Sequence, residues 1–407
     1  MPYCRICSST KLHTFLDLGR MPIPNGFLTK SQLLHKEKRY PLKACVCTTC
    51  WLVQLTRVIP AEIMFKNYVY IPSTSTTMLD HFESLSIESS KKAHLRKKNL
   101  VVDIGSNDAT LLSYYKKNGA RILGVDPAEN LAKKANAQGI PTMVHYFTKD
   151  LARRIVADHG TAKIITATNV IAHIDDLHDA VDGVRALLHP QGLFVIEAPY
   201  LVDLIDNNEF DTIYHEHLSY FTIHPLQRLF GKHGLRIIDV VKQHIHGGSI
   251  RVYVSHVNSS HTTHPRVGKF LIEEKVKQFH TISTYDTFAV RISQMKKNLV
   301  SLLKRMKKEG KSIIGYGASA KGNVLENYCA ITPNILDYIV DSTPYKQGKY
   351  TPGTHIRIYP EEKLLKDQPD YALLTSWNFA EEILEKNSKY REAGGRFIIP
   401  ISGLRIV

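Results

Sequence analysis

Short apolar runs, each bounded by a glycine, an acid or another polar residue, recur through the middle and the carboxyl-terminal part of the chain. Each run has the length of a buried parallel strand, and an apolar helical stretch follows the first of them. The predicted strands of the middle region are residues 100–104, 121–125, 163–168, 192–197 and 250–254. The carboxyl-terminal region has a strand–turn–helix unit at 312–323 and strands at 335–340 and 371–376. The alternation predicts two α/β units.

A longer helical pattern separates these two units. Residues 283–309 place their apolar side chains on one stripe, formed by Phe288, Ile292, Met295, Leu299, Leu302 and Met306. We predict a single helix that connects the middle unit to the carboxyl-terminal one, with its methionines in the core.

Length and composition limit the class of protein. With 407 residues, 43% of them hydrophobic and 22% charged, the chain predicts two or three folded domains. No apolar run approaches the roughly 18 residues that span a bilayer, and the first residues have no apolar stretch of the signal-peptide kind. We therefore expect a cytoplasmic protein without a membrane partner.

The formal net charge of +15 would suit nucleic acid, a membrane surface or a phosphorylated small substrate. The lysines and arginines are dispersed, however, and no basic tract interleaved with aromatic residues resembles a nucleic-acid motif. We expect most of this charge to be solvated surface, no nucleic-acid partner, and a few lysines that bind phosphate.

Five of the six cysteines lie within the first 50 residues. Cys4 and Cys7, and again Cys47 and Cys50, form Cys-x2-Cys pairs, which is the arrangement of a four-thiolate structural zinc site. Four sulfur ligands close the site, so a catalytic zinc ion is not expected. Cys45 is a spare thiol that could compete for the metal.

The turn after the first predicted strand has the features of a cofactor site. Gly105 ends the strand, and Asp126 follows 21 residues later at the end of the second strand, the spacing of a ribose-binding acid. The turn lacks the three-glycine dinucleotide fingerprint, which favours S-adenosylmethionine over a dinucleotide. The predicted cofactor-binding residues are Asp103, Gly105, Ser106, Asn107, Asp108, Asp126, Asn169 and His173.

Residues 214–217 are four consecutive proton-handling side chains, Tyr214, His215, Glu216 and His217. They follow the loop after the strand at 192–197, so they should cover the crevice at the carboxyl ends of the strands. Histidine is the commonest general base, which favours proton abstraction, whereas a solvated loop or a His-x-His metal pair are the alternatives.

Several residues could contact a substrate. Glycines at the 312–323 turn and nearby cations would favour phosphate, and an aromatic ring could stack on a base, although the same residues would also suit an ordinary core and surface. The glycine pair after His246 could bring the backbone close to a ligand, or form a tight turn. The predicted substrate contacts are Tyr200, His246, Lys321, Asn323, Lys346, Lys349, Trp377 and Asn378.

Nearly the whole chain resembles the nucleotide-sugar C-methyltransferases that make branched-chain deoxysugars. The resemblance is carried by the two Cys-x2-Cys pairs and by Asp-Ile-Gly-Ser-Asn-Asp at 103–108, Phe-Asp-Thr-Ile-Tyr-His-Glu-His-Leu-Ser-Tyr-Phe at 210–221, His-Gly-Gly-Ser at 246–249, Gly-Tyr-Gly-Ala-Ser-Ala-Lys-Gly at 315–322 and Val-Asp-Ser-Thr-Pro-Tyr-Lys-Gln-Gly at 340–348.

This resemblance implies an α/β fold with three domains. A small zinc-binding domain spans 1–70, and a Rossmann-like S-adenosylmethionine methyltransferase domain spans 71–260. A Rossmann-like domain that helps hold the sugar nucleotide spans 261–407 and includes the linker helix. It also implies methyl transfer to C-3′ of a 4-keto-6-deoxyhexose linked to thymidine or guanosine diphosphate. A monomer is expected.

The resemblance also assigns roles to residues. His217 matches the general base, Tyr214 and Glu216 match residues that line the sugar site, and Tyr70 belongs with Tyr68 to a tyrosine-rich segment that reaches it. His215 is expected to be structural. Ala109 replaces the usual glycine of the cofactor turn, and we expect it to have a negative φ and to leave cofactor binding intact.

Two other functions remain open at this point. A zinc-ribbon RNA methyltransferase would explain the net charge, although not a carboxyl-terminal phosphate-binding unit. A non-catalytic module that binds a nucleotide sugar or the cofactor as a regulator is the second alternative.

Overall fold

The computed structural model describes residues 3–65, 76–245 and 247–407 of the chain. It has three sheets, one in each predicted domain. None of the helices in this part of the chain combines the length and the apolar character needed to cross a bilayer.

The amino-terminal sheet is antiparallel and is built around the cysteine pairs. Its strands are β1 (Leu12–Met21), β2 (Tyr40–Cys47) and β3 (Val53–Leu55), and helix α1 (Ala61–Phe65) follows. The fourth strand, β9 (Ser219–Tyr220), comes from the middle of the chain and pairs with β3. The zinc-binding domain therefore includes a strand that directly follows residues 214–217.

The central sheet has seven strands in the order β10-β11-β8-β7-β4-β5-β6. These strands are β4 (Leu100–Ile104), β5 (Arg121–Val125), β6 (Thr142–Met143), β7 (Ala162–Thr168), β8 (Leu188–Pro199), β10 (Leu235–Gln243) and β11 (Ser249–His256). Strands β4 to β8 are parallel, whereas β11 is antiparallel to both of its neighbours. All five strands predicted for this region are confirmed.

Helices cover both faces of the central sheet, as its parallel strands require. They are α2 (Thr76–Ala93), α3 (Thr110–Lys117), α4 (Glu129–Ala137), α5 (Lys149–His159), α6 (Leu177–Leu187), α7 (Leu201–Asp206) and α8 (Ile223–Lys232). Some begin at side-chain caps, since the Thr148 hydroxyl accepts from Leu151 N and the Asp176 carboxylate accepts from Asp179 N.

The predicted connecting helix is confirmed as α10 (Ile282–Lys308), which follows α9 (Arg266–Val276). Its apolar stripe packs against the amino-terminal sheet as well as the carboxyl-terminal domain. The Phe15 ring of β1 lies 5.2 Å from the Tyr285 ring and 6.4 Å from the Phe288 ring, measured between centroids. Helix α10 thus fixes the first domain against the last.

The carboxyl-terminal sheet has the order β14-β13-β12-β15-β16-β17, and only β17 is antiparallel to its neighbour. Its elements are β12 (Ile313–Tyr316), α11 (Ala320–Cys329), β13 (Ile339–Val340), β14 (Ile358–Tyr359), α12 (Glu362–Asp367), β15 (Tyr371–Leu374), α13 (Ala380–Lys386), α14 (Ser388–Glu392), β16 (Arg396–Ile399) and β17 (Arg405–Ile406). The strand predicted at 335–340 is shorter than expected. Ile335 N and Leu336 N both donate to the Thr332 carbonyl, so a turn occupies its first part.

Candidate active site

Residues 214–217 lie between the 3-10 helix Phe210–Thr212 and strand β9. Leu218, which follows them, donates from its backbone N to the Ala172 carbonyl at 2.7 Å, and Ala172 lies just beyond the carboxyl end of β7. The segment therefore covers the edge of the central sheet where the sequence placed it. It is held there from two sides, by Ala172 and by the pairing of β9 with β3.

His217 is buried, and its ring has a defined tautomer. Its Nδ1 lies 2.9 Å from the Thr212 carbonyl oxygen, which can only accept, so Nδ1 carries the proton. When the ring is neutral, its lone pair is therefore on Nε2. The Tyr214 ring packs against it at 4.0 Å between centroids. This arrangement gives the imidazole one nitrogen that can take up a proton and one that fixes its orientation.

A second histidine lies beside His217. The His173 ring, in the 3-10 helix Ile171–His173, is 5.0 Å from the His217 ring, and burial lowers the pKa of His173 to about 4. A neutral His173 avoids placing a positive charge next to His217, which would disfavour proton uptake there. The cofactor contact predicted for His173 stays a prediction.

Glu216 and His215 point to the amino-terminal domain. The buried Glu216 carboxylate accepts from Asn25 Nδ2 at 2.7 Å. Asn25 follows Pro24, whose carbonyl accepts from Asn323 Nδ2 at 2.7 Å, so the carboxyl-terminal domain supports the same loop. His215 is buried edge-to-face against Tyr40, and burial lowers its pKa to about 4.

The predicted cofactor turn joins β4 to α3. Gly105 has φ +68, and a Cβ there would lie 2.3 Å from Val170 Cγ2, so only glycine fits. Ala109 has φ +62 and a fully buried side chain. The negative φ expected for Ala109 is therefore wrong: the turn needs a left-handed residue before the helix, which explains why glycine is usual at this position.

Acids and a hydroxyl surround this turn. Asp126, at the end of β5, accepts from Asn107 N and Ala128 N, each at 2.8 Å. Burial raises the pKa of Asp103 to about 7, and its carboxyl accepts from Thr166 Oγ1. The Ser106 hydroxyl is buried and has no hydrogen-bond partner among the described residues. These polar groups fit the ribose and amino-acid portions of S-adenosylmethionine.

The remaining cofactor residues predicted from sequence lie around the same edge. Asp108 accepts from Thr110 Oγ1 at 2.7 Å, at the first residue of helix α3. Asn169, directly after β7, has φ +57 and donates its backbone N to the Glu197 carbonyl. The strand ends thus bring together the groups that the sequence scatters over 70 residues or so.

Lys321 and Trp377 lie together at the junction of the central and carboxyl-terminal domains. Lys321 Nζ is 4.6 Å from the centroid of the Trp377 ring, and Trp377 Nε1 donates to Asp211 Oδ2 at 2.6 Å. Burial raises the pKa of Glu209 to about 7, and Lys321 opposes that shift. The sequence analysis gave no role to Glu209 or to Asp211, although Asp211 lies in the 210–221 motif, because nothing in the local pattern marks these acids at a 3-10 turn.

Glycine is required at both Gly247 and Gly248, which lie at this junction. A Cβ on Gly247 would lie 2.5 Å from Glu209 Oε2 and 2.8 Å from Trp377 Cη2, and a Cβ on Gly248 would lie 2.5 Å from Asp203 Oδ2. Both glycines have positive φ. The structure therefore shows a tight turn packed against protein side chains, whereas a close approach of this turn to a ligand stays a prediction.

The other predicted substrate residues lie in different surroundings. Lys346 forms an ion pair with Asp341 at 3.2 Å, and Lys349 Nζ lies 3.2 Å from the Tyr345 ring centroid. Tyr200 is fully buried.

The Tyr200 hydroxyl donates to Glu274, so the structure gives it a core role. Asn378 is in the 3-10 helix Trp377–Phe379. Tyr68, Tyr70 and His246 lie outside the described residues.

The four predicted zinc ligands form one cluster. The Cys4, Cys7, Cys47 and Cys50 sulfur atoms all lie within 4.8 Å of one another, with the Cys4–Cys50 pair at 3.4 Å and the Cys7–Cys47 pair at 3.5 Å. Zinc–sulfur bonds of about 2.3 Å place tetrahedral sulfurs about 3.8 Å apart, so the cluster fits zinc. Cys45 is outside it, and its thiol donates to the Gln54 carbonyl.

Family models match three parts of the chain. Residues 4–65 match the "Putative zinc binding domain", residues 81–240 the "Methyltransferase domain", and residues 244–402 the "C-methyltransferase C-terminal domain". A relative, C-methyltransferase NovU of Streptomyces niveus, is 37% identical over 404 residues, which are 99% of this chain and 96% of the relative.

Solved structures are more distant. The PH0226 protein from Pyrococcus horikoshii OT3 is 16% identical over 49% of this chain and 100% of its own, with a TM-score of 0.37. An S-adenosylmethionine-dependent methyltransferase from Anabaena variabilis ATCC 29413 is 13% identical over the same shares, with a TM-score of 0.36. Likenesses of this strength carry no argument about the site.

Proposed function

Since the chain belongs to the family of S-adenosylmethionine-dependent C-methyltransferases, we propose that it methylates C-3′ of a nucleotide-linked 4-keto-6-deoxyhexose. The reaction would contribute to branched-chain deoxysugar biosynthesis. The nucleotide is thymidine or guanosine diphosphate, and the enzyme acts as a monomer.

The observation that carries the proposal is the state of the His217 ring. A carbon-bound hydrogen is acidic enough to remove only when it is adjacent to a ketone, and a base must then lie within about 3 Å of it. Nδ1 of His217 donates to the Thr212 carbonyl, so the neutral ring has its basic lone pair on Nε2. In this proposal Nε2 takes the C-3′ proton, and the electron pair of that bond moves towards the ketone oxygen to form an enolate.

Bound S-adenosylmethionine supplies an electrophilic methyl group on a sulfonium. The chain's own part is to hold the two reactants in line and to keep water away, which accounts for most of the remaining acceleration. The groups around Gly105 and Asp126 lie at the same sheet edge as Ala172, the residue that anchors the histidine segment. That shared edge supports a cofactor and a sugar placed side by side.

Neighbours of His217 have supporting roles. The Tyr214 ring, stacked on His217, keeps the imidazole in place and has a hydroxyl that can donate to the enolate oxygen. Glu216, fixed by Asn25, accepts from a sugar hydroxyl. We assign the diphosphate to Lys346 and Lys349, because Lys346 pairs with one carboxylate, that of Asp341, whereas the buried Lys321 faces two, those of Asp211 and Glu209.

The test is to incubate the enzyme with S-adenosylmethionine and a panel of 4-keto-6-deoxy nucleotide sugars, followed by mass spectrometry. We expect a gain of about 14 daltons, one methyl group replacing one hydrogen, on one member of the panel. In deuterium oxide, with S-adenosylhomocysteine in place of S-adenosylmethionine, the same sugar should exchange its C-3′ hydrogen. Tight cofactor binding with no methylated sugar from the whole panel would contradict the proposal.

A further inference from the structure

Arg5 lies between the ligands Cys4 and Cys7, in the segment 4–7 that we call the first zinc knuckle. Its side chain nevertheless extends to the central domain. The guanidinium is buried, with 7% of the side chain exposed. An arginine is rarely buried unless its charge is paired and hydrogen-bonded. The groups that the Arg5 guanidinium contacts must therefore compensate its buried charge.

Two of its partners lie in separate segments of the central domain. Nε donates to Asp175 Oδ1 at 3.0 Å, and one terminal nitrogen donates to the Leu218 carbonyl at 3.1 Å. The same nitrogen reaches the Leu55 carbonyl on β3 at 3.3 Å. A planar guanidinium can make these bonds at once because its donors diverge at fixed angles.

Each of these two segments carries one of the paired histidines. Asp175 follows His173 by two residues, and Leu218 directly follows His217. The segments are already joined by the bond from Leu218 N to the Ala172 carbonyl. Arg5 adds a second connection between them, on the side of the zinc-binding domain.

The backbone that carries Arg5 is itself fixed. Its N donates to Gln54 Oε1 at 3.0 Å, and the carbonyl of the next residue, Ile6, accepts from His178 and from Lys232, each at 2.9 Å. A zinc ion held by Cys4 and Cys7, one on each side of Arg5, would remove the remaining freedom of this short loop.

We propose that Arg5 is a positioning residue: it transmits the geometry of the zinc knuckle to the His173–His217 pair and so sets the place of the catalytic base. The proposal rests on the proposed function only in taking His217 as the base. A displacement of about 1 Å at such a group can cost on the order of 100-fold in rate. For Arg5→Gln we therefore expect kcat to fall about 10- to 100-fold, with KM for both substrates little changed.

The experiment compares three full-length variants. Arg5→Gln removes the charge and most of the donors, and Arg5→Lys keeps the charge with a single donor group. Arg228→Gln is the matched control: Arg228 also joins the central domain to a carbonyl of the zinc-binding domain, that of Thr49, but it is exposed and lies in helix α8, which carries neither histidine.

Three readouts are collected for each variant. The first is the zinc content, and the second is kcat and KM. The third is the nitrogen-15 spectrum of labelled histidines, in which His173→Asn and His217→Asn variants assign the two rings. The spectrum needs no substrate, so it tests the role of Arg5 even if no sugar on the panel is methylated.

We expect Arg5→Gln to retain zinc, to lose rate and to shift or broaden the His217 resonances, with Arg5→Lys between it and the wild type and Arg228→Gln unchanged. The proposal is wrong if zinc-loaded Arg5→Gln has wild-type His217 resonances, or if Arg228→Gln changes them equally. Should Arg5→Gln fail to fold or to hold zinc, Arg5→Lys and the surface variant Asp175→Asn decide. Unaltered histidine resonances in both would overturn it.

Discussion

Replacing His217 by asparagine should separate its chemical role from its structural one. The asparagine amide nitrogen occupies the position of Nδ1 and can still donate to the Thr212 carbonyl, a bond of 2.9 Å in the wild type. The variant has no basic nitrogen. General-base catalysis contributes roughly 100- to 10,000-fold, so we expect kcat to fall by that factor, about 2.7–5.5 kcal/mol of transition-state stabilisation.

Stability should change much less than rate. The variant keeps the Thr212 bond and loses the contact of the ring with Tyr214, whose centroid is 4.0 Å away. An aromatic pair contributes about 0.5–1.5 kcal/mol beyond burial, so the free energy of unfolding should fall by about 1–2 kcal/mol. The protein stays folded at assay temperature, and the lost rate cannot be attributed to unfolding.

The assay measures kcat and KM from the methylated sugar formed, together with C-3′ hydrogen exchange in deuterium oxide. His215→Asn is the control, because His215 is equally buried two residues away but faces Tyr40. We expect less than a 10-fold change in kcat there. If His217→Asn keeps a rate within about threefold of the wild type while folded, His217 is not the base.

Three further predictions concern other residues. Ala109→Gly should change the free energy of unfolding by less than about 1 kcal/mol, because relief of a left-handed alanine, about 1–2 kcal/mol, is offset by the loss of a buried methyl group and by backbone entropy. Asn25→Ala should lower kcat/KM about 10-fold by freeing Glu216, and Asn25→Asp should lower it further, since two carboxylates would meet at 2.7 Å. Glu326→Gln should stabilise the protein by about 2–4 kcal/mol at pH 8 and hardly at all near pH 4, as urea unfolding can measure.

The sign of the Glu326 prediction follows from its raised pKa. Burial raises the pKa of Glu326 to about 8, and only Thr354 donates to its carboxyl among the described residues. The wild type therefore has its full stability below the unfolded pKa of about 4.3 and loses part of it as the pH rises towards 8, whereas glutamine stays neutral. An advantage of the variant that is the same at both pH values would contradict this account.

The predictions for Ala109 and Asn25 also have outcomes that would contradict them. A change of more than about 2 kcal/mol in Ala109→Gly would mean that the left-handed conformation or the packing of its methyl group has been weighed wrongly. For Asn25, the order of the two variants is the test: an aspartate that works better than alanine would show that Glu216 does not carry a negative charge in the active enzyme.

Much of the fold and part of the site could be predicted from the sequence because the signals are local. Two Cys-x2-Cys pairs define a metal site by spacing alone, and apolar runs of strand length followed by glycine define the cofactor edge. Gly105 and Asp126 were found in this way. The φ of Ala109 could not be found, because alanine adopts either sign and the strain is compensated by the surrounding core.

The residues that orient the site could not be predicted, because their partners are far away along the chain. Asn25 reaches Glu216 across 191 positions, and Trp377 reaches Asp211 across 166. No periodic pattern of residues in the sequence indicates such long-range hydrogen bonds. It exists only once three domains have packed on one another, and it is then specific because a buried polar group must find a partner.

The sequence by itself determined the zinc ligands, the order of the α/β units and the histidine motif, since each depends on side chains close together in the chain. Only the tertiary structure decided that the strand after His217 completes the sheet of the zinc-binding domain, and that Arg5 reaches Leu218 across 213 positions. The physical reason is that a motif fixes which atoms can take up a proton, whereas the packing of the domains fixes where those atoms lie.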